Sequence, residues 1–266
     1  MIDMRLFHSV LLMGLLALAG CGNPYAKFYQ PAPDAESLAA YVTPGQQSDP
    51  TVVNAGDNWD EAFKALLRKG FRPIGFSSFE AADVGSDGML TQAKAVGATN
   101  VLIGVQYQKT VSGSIPLTLP STSTTMHSGS VYGGGGYGSY SGTSTTYGTS
   151  TTYIPYNTDR YAYSVAYFVA GPKSKLGIYF ENTSPEQRRA IGSNSGVQIT
   201  LVIENTPAFM NDLFEGDILV ALDGVKIEDM EAFSALLSEK KSGAEIELDL
   251  WRDTSTVKKT LKLAVN

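Results

Sequence analysis

Few residues of this 266-residue chain are equipped for catalysis: one cysteine, Cys21, and two histidines, His8 and His127. A single cysteine excludes an internal disulfide and a cysteine-cluster zinc site. The run Gly192–Gly196 superficially resembles a serine nucleophile motif, but the place where Gly-x-Ser-x-Gly requires serine is occupied by Asn194. We therefore predict no catalytic residue, no metal site and no cofactor, and hence no enzyme.

Cys21 follows an apolar stretch, residues 10–19, with the length of a signal-peptide core and too short to cross a bilayer as a helix. Leu18-Ala19-Gly20-Cys21 resembles the lipobox of bacterial lipoproteins. The resemblance implies a signal peptide over residues 1–20, lipidation of Cys21 with chains such as palmitate, and stable anchoring in the cell envelope. Gly22 in place of Asp favours the periplasmic face of the outer membrane over the inner membrane. The alternative is a structural cysteine after a transmembrane helix.

Charge and composition restrict the partners. The chain has 20 basic and 26 acidic residues and a net charge of −6, which argues against nucleic acid as a partner. From 121 to 156, 31 of 36 residues are Gly, Ser, Thr or Tyr and none is charged. Such a segment cannot form a packed core, so we interpret it as a flexible loop. Its spaced tyrosines offer an alternative role in weak self-association or in contact with glycans of the cell wall.

A second group of residues, in the last 95 positions, has the spacing of a peptide-binding module. The pattern consists of Asn205-Thr206-Pro207-Ala208, Leu213, Glu215-Gly216-Asp217-Ile218-Leu219, Leu222-Asp223-Gly224, Gly243 and Leu250-Trp251-Arg252. In this order it resembles the PDZ domains of bacterial HtrA periplasmic serine proteases, here without the protease domain. The pattern departs from the family at Asn211 and Asp212, where a small residue and glycine are usual. The family's carboxylate-binding loop corresponds to Leu176-Gly177-Ile178.

The resemblance implies that a glycine-containing turn directs backbone N–H groups at a ligand carboxylate, while the ligand adds as an extra strand. The predicted peptide-binding residues are the loop, the docking strand and one side of the facing helix: Lys175, Leu176, Gly177, Ile178, Tyr179, Phe180, Met230, Phe233, Leu236 and Leu237. Alternatives stay open for three of them, because Phe233 and Leu237 have the spacing of core residues and Lys175 is compatible with a solvated surface charge.

The elements that would position these residues form an α+β chain. Residues 21–56 are rich in proline and have no apolar period, which predicts a flexible tether. Residues 57–170 predict a small domain of two helices and three strands, with the uncharged insert, 113–158, inside a hairpin. Residues 171–266 predict a PDZ-like β-sandwich or partly open barrel with two helices, at 206–212 and 228–240.

Two classes of function fit these observations. The first is a membrane-anchored envelope lipoprotein whose PDZ domain binds carboxyl-terminal or extended peptide segments of partner proteins as an adaptor, sensor or scaffold. The second is a structural surface lipoprotein with a degenerate PDZ fold, in which the low-complexity segment makes the contacts.

Overall fold

The computed structural model describes residues 22–42 and 49–265. Within these ranges the fold is α+β, as the sequence predicts, with two open sheets. The predicted signal peptide and the predicted lipidation site, Cys21, lie outside the described residues.

The amino-terminal sheet has five strands in the order β1-β3-β5-β4-β2. The strands are β1 (Tyr29–Pro31), β2 (Thr51–Asn54), β3 (Phe71–Ala81), β4 (Asn100–Gly133) and β5 (Gly136–Ala170). The accompanying helices are α1 (Pro24–Lys27), α2 (Ala35–Leu38), α3 (Trp59–Arg68) and α4 (Asp87–Ala95), with a 3-10 turn at Ala39–Tyr41.

Helix α3 forms where the sequence predicts it. The side chain of Asn58 accepts a hydrogen bond from the N–H of Glu61 and so caps the first turn, while acidic residues there and Arg68 in the last turn complement the helix dipole. Its apolar face, which includes Leu66, packs on the sheet against Phe168. Burial of this face fixes the position of α3 on the sheet.

The segment predicted as a flexible tether is folded over its described residues, so that prediction is wrong there. Tyr25 is 1% exposed, and its hydroxyl donates to the carbonyl of Gly85. Tyr29 pairs with Ser77 as β1 adds antiparallel to β3, and β2 adds parallel to β4. Aromatic burial and strand pairing offset the entropy cost of ordering this proline-rich segment.

The predicted hairpin forms, but its strands do not end at the uncharged segment. Strands β4 and β5 continue through it to a turn at Gly134–Gly135, with nearly every residue between 105 and 157 exposed. The interpretation as a flexible loop is therefore wrong. The composition cannot make a core, but a two-stranded ribbon needs only backbone pairing and β-forming Thr and Tyr.

The second sheet, in the order β11-β10-β8-β7-β6, is that of the PDZ-like domain, and a short β9 pairs with β8. The strands are β6 (Ile178–Asn182), β7 (Val197–Val202), β8 (Ile218–Leu222), β9 (Val225–Lys226), β10 (Glu245–Arg252) and β11 (Ser255–Lys262). Three helices, α5 (Pro185–Ile191), α6 (Pro207–Met210) and α7 (Met230–Glu239), occur where two were predicted. The sequence signal for α5 was a capping box: the Ser184 side chain accepts from the N–H of Gln187, whose side chain accepts in return from the N–H of Ser184.

An ion pair joins two separate parts of the PDZ-like sequence pattern, residues 215–219 and residues 250–252. The guanidinium of Arg252 donates to both carboxylate oxygens of Asp217, at 2.7 and 2.6 Å, and lies over the ring of Phe214. Asp217 is 3% exposed and also accepts the N–H of Phe214. Asp212, at the departure from the family pattern, adopts φ 54°, so the turn keeps a left-handed residue without glycine.

Candidate functional site

Strand β6 is the last strand of its sheet and pairs on one side with β7, from Ile178 opposite Val202 to Asn182 opposite Val197. Helix α7 packs beside β6. The second edge of a terminal strand carries backbone N–H and C=O groups that can pair with an added strand. The groove between β6 and α7 is therefore the place where an extended peptide can add to the sheet.

Two hydrogen-bonded contacts hold the groove at its ends. At one end the side chain of Asn182 accepts the N–H of Met230, 2.9 Å away, at the start of α7. At the other end the ammonium of Lys175 donates to the carbonyls of Ser238 and Lys240, at 3.1 and 3.0 Å. Lys175 thus satisfies the carboxyl end of α7 and is half-buried, so it is not a fully solvated surface charge. Its attraction for a ligand carboxylate stays a prediction.

The loop before β6 requires glycine at position 177. Gly177 has φ 93°, and a Cβ there would overlap the side chain of Thr206. The carbonyls of Leu176 and Gly177 accept hydrogen bonds from the N–H groups of Ala208 and Ile203, at 2.9 and 2.8 Å. These bonds anchor the loop by its carbonyls. Thr206 occupies the N-cap position of α6 without a capping side-chain hydrogen bond, and it donates its hydroxyl to the carbonyl of Ile203.

One amide of this loop already has an acceptor. The N–H of Gly177 donates to the hydroxyl of Ser174, 3.0 Å away. A serine oxygen therefore lies where the resemblance predicts that a ligand carboxylate would accept. Ser174 carries no sequence signal of this contact, since one serine before a glycine loop is not a distinctive pattern.

The floor of the groove is more closed than predicted. Phe233 is fully buried in the domain core, and the ring of Phe180 packs edge-on against it with 4.8 Å between centroids. Leu176 is also buried, at 1% exposure. Phe233 thus follows its alternative as a core residue and supports Phe180 from beneath. Met230, Leu236 and Leu237 are half-buried at the edge of the core, where a ligand side chain can reach them.

Tyr179 points away from these residues. Its ring lies under the guanidinium of Arg72, 4.4 Å from centroid to Cζ, on the side of the amino-terminal sheet. Burial raises the pKa of the Tyr179 hydroxyl above its ordinary value. Side chains alternate along a strand, so the side chain of Tyr179 points to the opposite side of the sheet from that of Ile178. The prediction that Tyr179 binds peptide as part of the docking strand therefore concerns its backbone groups. No sequence signal linked Arg72 to this strand.

The remaining chemical candidates do not form a further site. Ser193 and Ser195 contact each other, 2.7 Å apart, after Gly192 ends α5 in a left-handed conformation. Among the described residues no three potential metal ligands of the His, Cys, Asp and Glu types come together. Within the same ranges, none of the helices combines the length and the apolar character needed to cross a membrane.

The chain is similar to several solved structures. The chain is similar to the HtrA-type protease AlgW with a decapeptide (17% identity, TM-score 0.32, 38% of this chain and 37% of that chain). It is also similar to the HtrA3 PDZ domain bound to a phage-derived ligand (19% identity, TM-score 0.30, 34% of this chain and 85% of that chain). A third similar structure is an aminopeptidase N family protein from Idiomarina loihiensis (14% identity, TM-score 0.29, 36% and 14%).

The chain spans little more than a third of the length of the AlgW structures that it matches. No curated protein matches it. The family model of the PDZ domain matches residues 174–263, which include the loop, β6, α7 and the Asp217–Arg252 pair. The carboxyl-terminal third of the chain is therefore a PDZ domain, a binding module.

Proposed function

We propose that this chain is an envelope lipoprotein, anchored through Cys21, whose PDZ domain binds carboxyl-terminal or extended peptide segments of partner proteins as an adaptor, sensor or scaffold. The observation that carries the proposal is the terminal strand β6, which lies beside α7 and follows a loop that only glycine at position 177 can form. Main-chain pairing along β6 would supply affinity, and Phe180, Leu236 and Leu237 would select an apolar ligand side chain.

Peptide binding is tested with the full chain in detergent and a library of peptides with free carboxyl termini. We expect binding that weakens at least tenfold when the peptide terminus is amidated, since the amide removes the charge that the loop N–H groups would recognise. Leu237→Arg should abolish binding. Ser234→Arg, on the exposed side of α7, is the matched control and should not.

Phe233→Arg is unsuitable for this test because it places a charge in the core and would unfold the domain. If no peptide binds, or if free and amidated peptides bind equally, the carboxylate-reading function is wrong. A phenotype that responds to deletion of residues 121–156 and not to Leu237→Arg would favour the structural surface lipoprotein.

The anchor has an independent test. Cys21→Ala should move the protein from the membrane fraction to the soluble periplasmic fraction, because lipid chains on this residue are the proposed attachment. Cys21→Ser is a second variant, which replaces the thiol by a hydroxyl of similar size. Retention of both variants in the membrane fraction would contradict lipid anchoring at this position and would leave the peptide-binding proposal unaffected.

A further inference from the structure

The hairpin formed by residues 107–161 is a two-stranded ribbon with nothing packed on it along most of its length. The compact unit to which it belongs contains, besides the hairpin, only Ala81–Asp83. Each strand extends for about 90 Å at the rise of a β-strand. A two-stranded ribbon in water is marginally stable, and its outer edges carry unpaired N–H and C=O groups. Such a ribbon is stabilised when further strands pair with it.

Side-chain contacts define one register from the Thr110–Asp159 pair to the turn. Thr110 donates to Asp159 at 2.6 Å, and the hydroxyls of Thr118 and Thr151 are 2.9 Å apart. The ring of Tyr140 covers Gly129, where a Cβ would lie 2.6 Å from it, a cross-strand arrangement that stabilises glycine in a strand. All these pairs fit a two-residue turn at 134–135.

The register also shows which backbone N–H groups point outward. The residues that flank a two-residue turn exchange hydrogen bonds, and hydrogen-bonded and outward-facing pairs alternate from there. Pro116, Pro120 and Pro155 all fall on the outward-facing class, where proline removes an edge donor without breaking the ribbon. These prolines, together with Lys109 and Asp159, restrict edge pairing near the base of the ribbon.

The distal part of the ribbon, residues 121–154, has no such residues to restrict edge pairing. It contains no proline and no Asp, Glu, Lys or Arg, so both of its edges are open to another strand. The same strand of a second chain would meet no like-charge repulsion at these edges. The abundant threonine and tyrosine residues favour cross-strand pairs with threonine and tyrosine of the second chain. Low charge, absence of proline and high β-propensity are features of strands that pair between chains, although the eight glycines of residues 121–154 weaken the strands.

We propose that the distal ribbon, residues 121–154, is a self-association surface whose edge pairs with the same ribbon of a second copy of the chain, extending the sheet between molecules. The partner is this chain itself, and the contact is made by backbone hydrogen bonds along the edge. The prolines and charges near the base set the limit of the paired region. This proposal does not depend on peptide binding by the PDZ domain.

The test measures the mass of the full chain in detergent by light scattering after gel filtration, over a range of protein concentrations. The wild-type chain should form dimers or larger species as the concentration rises. Thr124→Pro combined with Thr143→Pro removes one outward N–H from each edge, and this variant should stay monomeric. Thr124→Val with Thr143→Val is the matched control, which keeps both N–H groups and should assemble like the wild type.

A second variant guards against loss of the ribbon itself. Thr124→Lys with Thr143→Lys keeps the N–H groups but gives like charges to both edges, so assembly should be lost at low salt and recovered at high salt. Far-ultraviolet circular dichroism should show unchanged strand content. A monomeric wild-type chain at all concentrations, assembly of the proline variant equal to that of the valine variant, or binding of purified peptidoglycan by a chain that stays monomeric would each overturn the proposal.

Discussion

The backbone N–H of Gly177 is available to a ligand only when it is released by one side-chain hydroxyl. Ser174 accepts this N–H at 3.0 Å, in the loop where peptide carboxylates are proposed to bind. A ligand must exchange a neutral acceptor for a charged one, which is favourable, but it must first displace the serine. A neutral hydrogen bond contributes about 1 kcal/mol to stability. If the loop binds a carboxylate as proposed, the hydroxyl should lower ligand affinity to a limited extent.

We expect Ser174→Ala to raise affinity for a free carboxyl-terminal peptide about fivefold, since loss of a competing bond worth about 1 kcal/mol corresponds to that factor. The gain should disappear for the amidated peptide. Isothermal calorimetry with the full chain measures both. Ser234→Ala, on the exposed side of α7, is the control. A loss of affinity in Ser174→Ala would mean that the hydroxyl turns to donate to the ligand carboxylate.

At the scale of single elements, the short amino-terminal strand and helix show why local pattern is insufficient. Tyr25 is buried against the edge of Phe79, at 5.0 Å between centroids, and Tyr29 lies against Tyr167 at 5.6 Å. Burial raises the pKa of Tyr167 to about 12, although its hydroxyl also contacts Ser77. The segment is held by aromatic contacts with residues 45 or more positions away in the sequence.

Tyr25→Ala should lower the free energy of unfolding by about 3–5 kcal/mol, the usual cost of removing a large buried aromatic side chain. Tyr41→Ala removes a ring that is 46% exposed and should change it by less than about 0.5 kcal/mol. Urea denaturation measures the difference, and hydrogen exchange should show faster exchange over 25–31 in the first variant. Equal stability of the two variants would contradict this packing and would support the interpretation of the segment as a flexible tether.

The elements that the sequence predicts well are those with short-range signals. Helix α3 has an amphipathic pattern, a cap at Asn58 and a stop at Gly70, and Asp223-Gly224 marks the turn between β8 and β9. Strand β1 has three residues and no alternation, so only its pairing with β3 identifies it. The predicted groove residues rest on the family pattern. The burial of Phe233 and the direction of the Tyr179 side chain depend on tertiary packing, which neither helical spacing nor strand alternation specifies.

At the scale of the molecule, the PDZ domain is attached to the amino-terminal sheet by contacts that no domain boundary at residue 171 would suggest. Arg68 donates to both oxygens of Glu215, at 2.9 and 3.2 Å, and its carbonyl accepts the N–H of Glu204. Arg72 lies over Tyr179 of the docking strand. The two parts belong to one compact unit, so the position of β6 depends on the sheet that precedes it.

These contacts predict joint unfolding. Scanning calorimetry of the wild-type chain should show one transition for the amino-terminal sheet and the PDZ domain, because arginine side chains couple them. Arg68→Met with Arg72→Met removes the ion pair to Glu215 and the contact with Tyr179, and should separate this into two transitions. Each exposed pair is worth at most about 1 kcal/mol, so the stability of each part should change little.

Arg188→Met with Arg189→Met is the matched control for this coupling. It removes the same charge from α5, where Arg188 contacts Thr183 and Arg189 contacts Glu186, all within the PDZ domain. This variant should keep a single transition. If the Arg68 and Arg72 variant also unfolds in one step of unchanged width, the coupling resides in the backbone hydrogen bond from the N–H of Glu204 to the carbonyl of Arg68, 2.7 Å long, and the arginine side chains are not needed for it. Tyr179 lies within β6, so separation of the transitions should be accompanied by faster hydrogen exchange of residues 178–182. Such a result would connect the packing of the amino-terminal sheet to the stability of the docking strand.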